Sequence, residues 1–221
     1  VRSAIAVHKH AVINMQENKN GSASSPIIST DQAISQARSA SGKKVHFISL
    51  GCPKNLVDSE IMLGHLLKEG YAVTEASEEA DTIIVNTCGF IEDAKRESIS
   101  KILEMAELKK SGRLKQLVVA GCLTQRYKDE LVEGLPEADL FVGSGEFQNI
   151  ARILKNHEAG DPNKRYFNLP TYLQEDDTPR VNSQPGYRAY LKISEGCLKR
   201  CAFCAIPRIR GNLQSRRLSA I

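Results

Sequence analysis

Residues 82–90 read TIIVNTCGF: a short apolar run, then a cysteine and a glycine. The same order of strand then cysteine occurs twice more, as VHFISLGC over Val45–Cys52 and as QLVVAGC over Gln116–Cys122. Short apolar runs bounded by turn residues read as strands within a sheet. Helical patterns alternate with them. An amphipathic stretch runs from Pro53 to Glu69, with Pro53 suited to its first turn and Gly70 to its stop. YAVTE (Tyr71–Glu75) follows as a second strand, Thr82–Thr87 as a third and Gln116–Ala120 as a fourth. DLFV (Asp139–Val142) is a fifth. Further helices are expected over Ile91–Lys109, Gln125–Glu133 and Glu146–Asn156.

Strands alternating with helices predict an α/β fold whose parallel sheet carries helices on both faces. Right-handed crossovers make it doubly wound. The expected sheet is five-stranded and flavodoxin-like, in the order 2-1-3-4-5, and occupies 43–156. Residues 1–42 are rich in Ser, Ala, Asn and Gln and read as a disordered tail, with room for a short helix over Asp31–Arg38. Residues 157–185 hold DP, LP, TP and QP steps and read as a linker. RAYLKIS (Arg188–Ser194) then reads as one more strand, opening a second, incomplete domain over 186–221. A strand lacking its neighbours leaves backbone groups unpaired, so poor order is expected from Arg188 onward.

The chain has 221 residues, 41% of them hydrophobic and 25% charged. That composition suits a globular domain and part of another. No apolar run approaches the roughly 18–20 residues needed to span a bilayer, and no secretory core is present. A cytoplasmic location with no membrane partner is therefore expected. In a reducing compartment six cysteines point to metal or redox chemistry before disulfides. The net charge of +4 is uneven: +4 over 1–44, −7 over 45–180 and +7 over 181–221. The basic C-terminal segment could attract a polyanion, or could be a segment separated from its acidic partners.

Cys52, Cys88 and Cys122 are 36 and 34 residues apart, about one strand–helix–strand repeat. Each directly follows a strand. In a parallel sheet the strand C-termini share one edge, where such folds place ligands. With strands one, three and four as neighbours, the three thiols meet there. Gly51, Gly89 and Gly121 stand beside them and allow close backbone approach. Helix N-termini aimed at the same edge favour thiolates and the negative charge of a cluster. Three buried structural cysteines are the plainer alternative. His46 and His65 could in principle complete a zinc site, but one lies within a strand and the other on a helix, away from that edge.

GCLKRCAFC (Gly196–Cys204) holds the other three thiols, Cys197, Cys201 and Cys204. C-x3-C-x2-C is too tight for an ordinary zinc finger, and soft thiolates suit iron–sulfur clusters. Three thiolates on a four-iron cluster leave one iron open for a substrate or cofactor.

C-x3-C-x2-C after a strand, with an aromatic before the last cysteine, resembles the radical S-adenosylmethionine superfamily. SLGCPKNLVDSE (Ser49–Glu60), NTCGFIEDAKRES (Asn86–Ser98), GCLTQRY (Gly121–Tyr127) and YLKISEGC (Tyr190–Cys197) narrow the resemblance to the methylthiotransferases, and within them to the RimO-like branch. The tRNA-modifying branch, MiaB-like, usually carries GCQMN where this sequence has CPKN.

The resemblance covers Lys43 to the end, and all six cysteines match. It implies two 4Fe-4S clusters, an auxiliary one on Cys52, Cys88 and Cys122 and a radical-generating one on Cys197, Cys201 and Cys204. It implies S-adenosyl-L-methionine on the open iron, with Phe203 near the adenine. It implies transfer of a methylthio group to the β-carbon of an aspartate in ribosomal protein S-twelve. An electron donor of flavodoxin or ferredoxin type is implied as well. The alternatives are a tRNA adenosine substrate, an inert iron–sulfur-binding fragment and a zinc-binding regulator. Members are about twice this long, so a truncated piece is expected. It would lack most of the radical domain's partial TIM barrel, beyond its first strand and cluster loop, and the TRAM domain. Asn55 suits a supporting role, bonding loop backbone near Cys52. Asp58 and Glu60, on the same helix near Cys52, suit either such a role or a solvated helix face. Arg208, Arg210, Arg216 and Arg217 suit either anionic substrate groups or plain surface charge.

Overall fold

The structure, a computed structural model, describes residues 27–29, 42–171, 178–185 and 187–221. In chain order its strands are β1 (Ile27–Ser29), β2 (Lys44–Ser49), β3 (Ala72–Val73), β4 (Thr82–Thr87), β5 (Gln116–Gly121), β6 (Leu140–Gly143), β7 (Arg165–Tyr166), β8 (Arg180–Asn182), β9 (Ser194–Glu195) and β10 (Gln214–Ser215). The helices are α1 (Pro53–Lys68), α2 (Glu92–Lys110), α3 (Cys122–Gly134), α4 (Ile150–Glu158) and α5 (Ile206–Arg210). One-turn 3-10 segments at Ser77–Glu79, Phe147–Asn149 and Leu218–Ala220 complete the elements.

A parallel sheet of six strands, in the order β3-β2-β4-β5-β6-β7, forms the core. Its first five strands take the expected order. Because successive side chains of a strand point to opposite faces, each central strand feeds two cores. Ile84, Val118, Ala120, Leu140 and Val142 face α1 and α4. Ile83, Val85, Leu117, Val119 and Phe141 face α2 and α3. That division makes the sheet doubly wound.

Helix α1 starts without a side-chain cap, with proline in its first turn. A missing cap costs about 1 kcal/mol. Val57, Ile61, Met62 and Leu66 are essentially fully buried on its inner face, at about 1.5–3 kcal/mol each. Packing therefore fixes this helix, not its terminus.

Several expectations are corrected. The sheet has a sixth strand, β7, supplied by residues expected to be linker; its Arg165 and Tyr166 pair with Phe141 and Val142 on the open edge of β6. The same stretch supplies β8, which pairs in parallel with β1. β1 itself falls within the expected disordered tail. The rest of that tail, including the helix expected over Asp31–Arg38, lies outside the described residues. Helix α3 begins at Cys122, three residues early, because Gly121 turns the chain at φ +97° and no loop intervenes.

The strand expected over Arg188–Ser194 is only the two residues of β9. Among the described residues only β10 pairs with it, antiparallel, and the preceding residues form no strand, although the Ile193 carbonyl accepts from the Arg216 N–H at 3.0 Å. Poor order was expected from Arg188; instead, residues 187–221 lie against the sheet domain through buried contacts described below. The chain crosses α1 at Gly64, where a Cβ would lie 2.4 Å from the Pro179 carbonyl oxygen.

Candidate metal centre

The C-terminal ends of β2, β4 and β5 are held together by a belt of buried polar side chains. Asn55 Nδ2, on α1, donates to the carbonyl of Leu50 at 2.7 Å and to that of Thr87 at 3.3 Å. Asn86 Nδ2 donates to the Asn55 carbonyl at 3.0 Å and to Ser59 Oγ at 2.8 Å. Ser59 Oγ reaches Ser49 Oγ at 2.7 Å. Thr87 Oγ1 donates to the Ala120 carbonyl at 2.6 Å. Buried polar groups that bond one another in this way rigidify their surroundings; Asn86 Oδ1 is the member of the belt left without a hydrogen-bond partner among the described residues.

The belt sets the three strand-end cysteines. Cys52 sits at the N-cap of α1 and is exposed. Cys88 is half-buried; Ser98 Oγ accepts its N–H at 3.1 Å and donates to its carbonyl at 3.2 Å. Cys122 opens α3 and is buried. Thr87 and Gly121 are register partners, which makes Cys88 and Cys122 the next residues along adjacent strands.

The neighbouring glycines let these loops touch. A Cβ on Gly51 would lie 2.7 Å from the Cys88 Cβ and 3.1 Å from its Sγ. One on Gly89 would lie 3.1 Å from the Cys122 carbonyl carbon. Burial first, and then the nearby Asp58 and Cys52, push the Cys122 thiol up to about 11, against the pull of Arg210. Ligation of a metal removes that proton, and a nearby cation favours its loss.

Arg210, on α5, is 3% exposed. Its guanidinium donates to Cys122 Sγ at 3.2 Å and to Asn55 Oδ1 at 3.4 Å. It also pairs with Asp58, and with Glu195 at 3.3 Å. Lys192 pairs with Asp58, and with Glu195 at 2.7 Å. Two carboxylates thus face the buried cations Lys192 and Arg210, and Lys54, half-exposed at the rim, adds a third cation 3.6 Å from Glu195. Burial works against the Arg210 charge, but Asp58, Cys122 and Glu195 outweigh it and keep it protonated. Burial would raise Glu195, but Lys192 and Arg210 outweigh it and hold the carboxyl at about 2.

A second buried cluster has Glu60 accepting from Arg180 at 2.6 and 2.9 Å, and from the N–H and Oγ of Ser183 at 2.8 and 2.6 Å.

The expectation of a solvated face for Asp58 and Glu60 is therefore overturned: they are 2% and 0% exposed. Arg210 is neither surface charge nor open to solvent. Arg208 and Arg217 are exposed, and Arg216 Nη1 donates to the Lys192 carbonyl at 3.3 Å. The residues missed as a set were Lys192 and Glu195 with Asp58 and Arg210. Their signal was the charge asymmetry, a basic C-terminal segment against an acidic domain. His46 Nδ1 donates to the Thr74 carbonyl, 3.1 Å away, and His65 sits in the last turn of α1; neither joins the cysteines.

Cys197, Cys201 and Cys204 occupy the turn between β9 and α5, separate from the first trio along the chain. The Cys197 N–H donates to the Gly211 carbonyl at 3.2 Å, and the Cys204 N–H to the Cys201 carbonyl at 3.0 Å. Gly196 has φ +76°, and a Cβ there would lie 2.1 Å from the Asn212 carbonyl oxygen. Phe203 is 93% exposed. All six cysteines are free thiols. Among the described residues no three His, Cys, Asp or Glu side chains lie close enough together for a single metal ion. Nor is any described helix long and apolar enough to cross a membrane.

Residues 44–143, the sheet domain up to the end of β6, match the family model described as Uncharacterized protein family UPF0004. The class is thus a doubly wound α/β domain of the UPF0004 type with cysteines at three strand ends.

Relatives extend the match beyond it. The ribosomal protein uS12 methylthiotransferase RimO of Bdellovibrio bacteriovorus is 75% identical over 182 residues, 82% of this chain and 40% of the relative. RimO of Trichlorobacter lovleyi is 51% identical and that of Geotalea uraniireducens 52%, each over 179 residues, 81% of this chain and 40% of the relative. The chain is a homologue of the RimO methylthiotransferases, and it spans about two fifths of the length of these curated relatives.

Proposed function

We propose that this chain carries both cysteine trios of a radical S-adenosylmethionine methylthiotransferase acting on an aspartate of ribosomal protein uS12. Cys52, Cys88 and Cys122 would hold one four-iron cluster, and Cys197, Cys201 and Cys204 a second, which takes S-adenosylmethionine. The observation that supports this reading is the placement of three cysteines just past the C-terminal ends of the neighbouring strands β2, β4 and β5, with the Gly51 backbone packed directly on Cys88. The residues fit such a group: the donor set is sulfur, and the loops bearing it are pinned by Asn55, Asn86 and Ser98. When bound, the clusters and S-adenosylmethionine supply the radical and sulfur-transfer chemistry.

The protein's own part is positioning. Asn55 and Ser98 orient the loops that carry Cys52 and Cys88. Burial of Cys122 keeps water from one side of its site. The Asp58–Arg210–Lys192–Glu195 cluster holds the segment bearing the second trio against the domain bearing the first. Substrate, cofactor and sulfur source must meet in one geometry, and a fixed docking of the two trios serves that need. Phe203 stands exposed beside Cys204, suited to cover a bound adenine. An electron donor of flavodoxin or ferredoxin type would supply the reducing equivalent.

Anaerobic reconstitution tests the reading. About eight irons per chain are expected, with matching sulfide. Cys52→Ser and Cys201→Ser should each lose about half of this. With S-adenosylmethionine and dithionite, release of 5′-deoxyadenosine is expected from the second site. A uS12-derived peptide carrying the methylthio group after incubation with the complete enzyme would establish the substrate, and modification of tRNA in its place would refute it. Iron content unchanged in every serine variant would sink the assignment of both sites.

A further inference from the structure

One guanidinium links the first cysteine site to the segment that carries the second. Arg210 lies in the helix that follows Cys204. One nitrogen, Nη2, is 3.2 Å from Cys122 Sγ in the first trio. The other, Nη1, pairs with Asp58 on α1 and with Glu195, which lies two residues before Cys197 of the second trio. The residue is almost fully buried, so water does not compete for these bonds. Asp58 and Glu195 hold one edge of the planar fork, and this fixes where the other edge points. A lysine has no second edge and could not serve the carboxylates and the sulfur together.

We infer that Arg210 is a positioning residue that tunes the first cluster from the segment carrying the second. The inference rests on the proposal that Cys122 is a cluster ligand. A cationic donor on a ligand sulfur draws charge away from the iron and favours the added electron. Hydrogen bonds to sulfur and local net charge are the protein's levers on cluster potential. Docking of the C-terminal segment and the electronic character of the first site are thereby linked: the donor reaches Cys122 only when Asp58 and Glu195 hold it.

The test uses the whole chain with Cys197, Cys201 and Cys204 replaced by alanine, so that only the first site loads. Dithionite supplies one electron per cluster, with no bond made or broken, and the reduced fraction is followed by electron paramagnetic resonance. Arg210→Gln is expected to lower the midpoint so that the oxidised-to-reduced ratio rises at least tenfold at fixed potential, equivalent to 59 mV for one electron. Arg210→Lys keeps a cation against Asp58 and Glu195 but gives up the sulfur contact, and should shift in the same direction. A midpoint that moves less than twofold in ratio in both variants overturns the inference. So does an equal shift in Lys192→Gln, which alters the same charge cluster without touching sulfur. Loss of loading in both Arg210 variants, with the circular dichroism of the sheet domain retained, supports it, whereas loss of that signal too would make Arg210 a purely structural residue. Failure of the parent chain to load any cluster removes the reading of the site itself, an outcome distinct from a loaded cluster with an unmoved potential.

Discussion

At Gly121 the backbone holds φ +97°, and a Cβ there would lie 2.2 Å from Asn86 Oδ1 and 2.7 Å from the Thr87 carbonyl oxygen. Gly121→Ala combines left-handed strain with a clash inside the polar belt, which should destabilise the domain by roughly 2–4 kcal/mol. Urea unfolding measures this; a loss below about 0.5 kcal/mol would mean that the strand ends are not packed as described. His46 provides a second residue-scale prediction. Burial lowers its pKa from 6.5, partly offset by its bond to the Thr74 carbonyl. The unfolded chain therefore binds the proton more readily, so stability is full above 6.5 and is lost as pH falls from there toward the folded value. His46→Gln should flatten the fall in melting temperature between neutral pH and about pH 5. An unchanged slope would show that other groups carry the acid sensitivity. Cysteine and glycine positions were legible at this scale because their spacing repeats with the fold. The partners of Asn55 were legible only in kind, as loop backbone.

At the scale of elements, α1 is the piece on which both buried charge clusters converge. Its apolar face was readable from periodicity. The burial of its acidic residues was not legible, because a helical pattern tells which side faces the sheet and not what covers the other side. Glu60 accepts from Arg180 and Ser183, tying β8 across the helix at Gly64. Removing one partner of a buried pair leaves the other charge uncompensated, at a cost of about 3–5 kcal/mol. Glu60→Ala is therefore expected to lower the urea midpoint strongly, and a near-neutral result would place Arg180 in solvent. Strand β7 illustrates a different limit. Two residues, Arg165 and Tyr166, are too short a run to give a strand signal of their own, and they become a strand because β6 presents an unpaired edge.

Across the whole molecule, docking of residues 187–221 depends on ionic contacts, with little apolar area: Tyr187, Leu191, Ile193, Leu198 and Leu218 are exposed, while Ile209 and Ala220 are buried. Asp58→Ala should strip Lys192 and Arg210 of their shared carboxylate and speed proteolysis within 187–221, leaving the sheet domain resistant. Equal cleavage rates in parent and variant would contradict this docking. The sequence by itself determined the α/β class, the order of five strands and the placement of three cysteines at neighbouring strand ends. The class and the strand-end cysteines follow from local periodicity and the geometric rules of parallel sheets, and the strand order was taken from the flavodoxin-like pattern. Only the tertiary structure decided that Asp58, Lys192, Glu195 and Arg210 form one buried cluster touching Cys122, and that Glu60 clasps Arg180. Charges up to 152 residues apart carry no local mark of their pairing, because their burial and partners are set by which surfaces meet after the chain has folded.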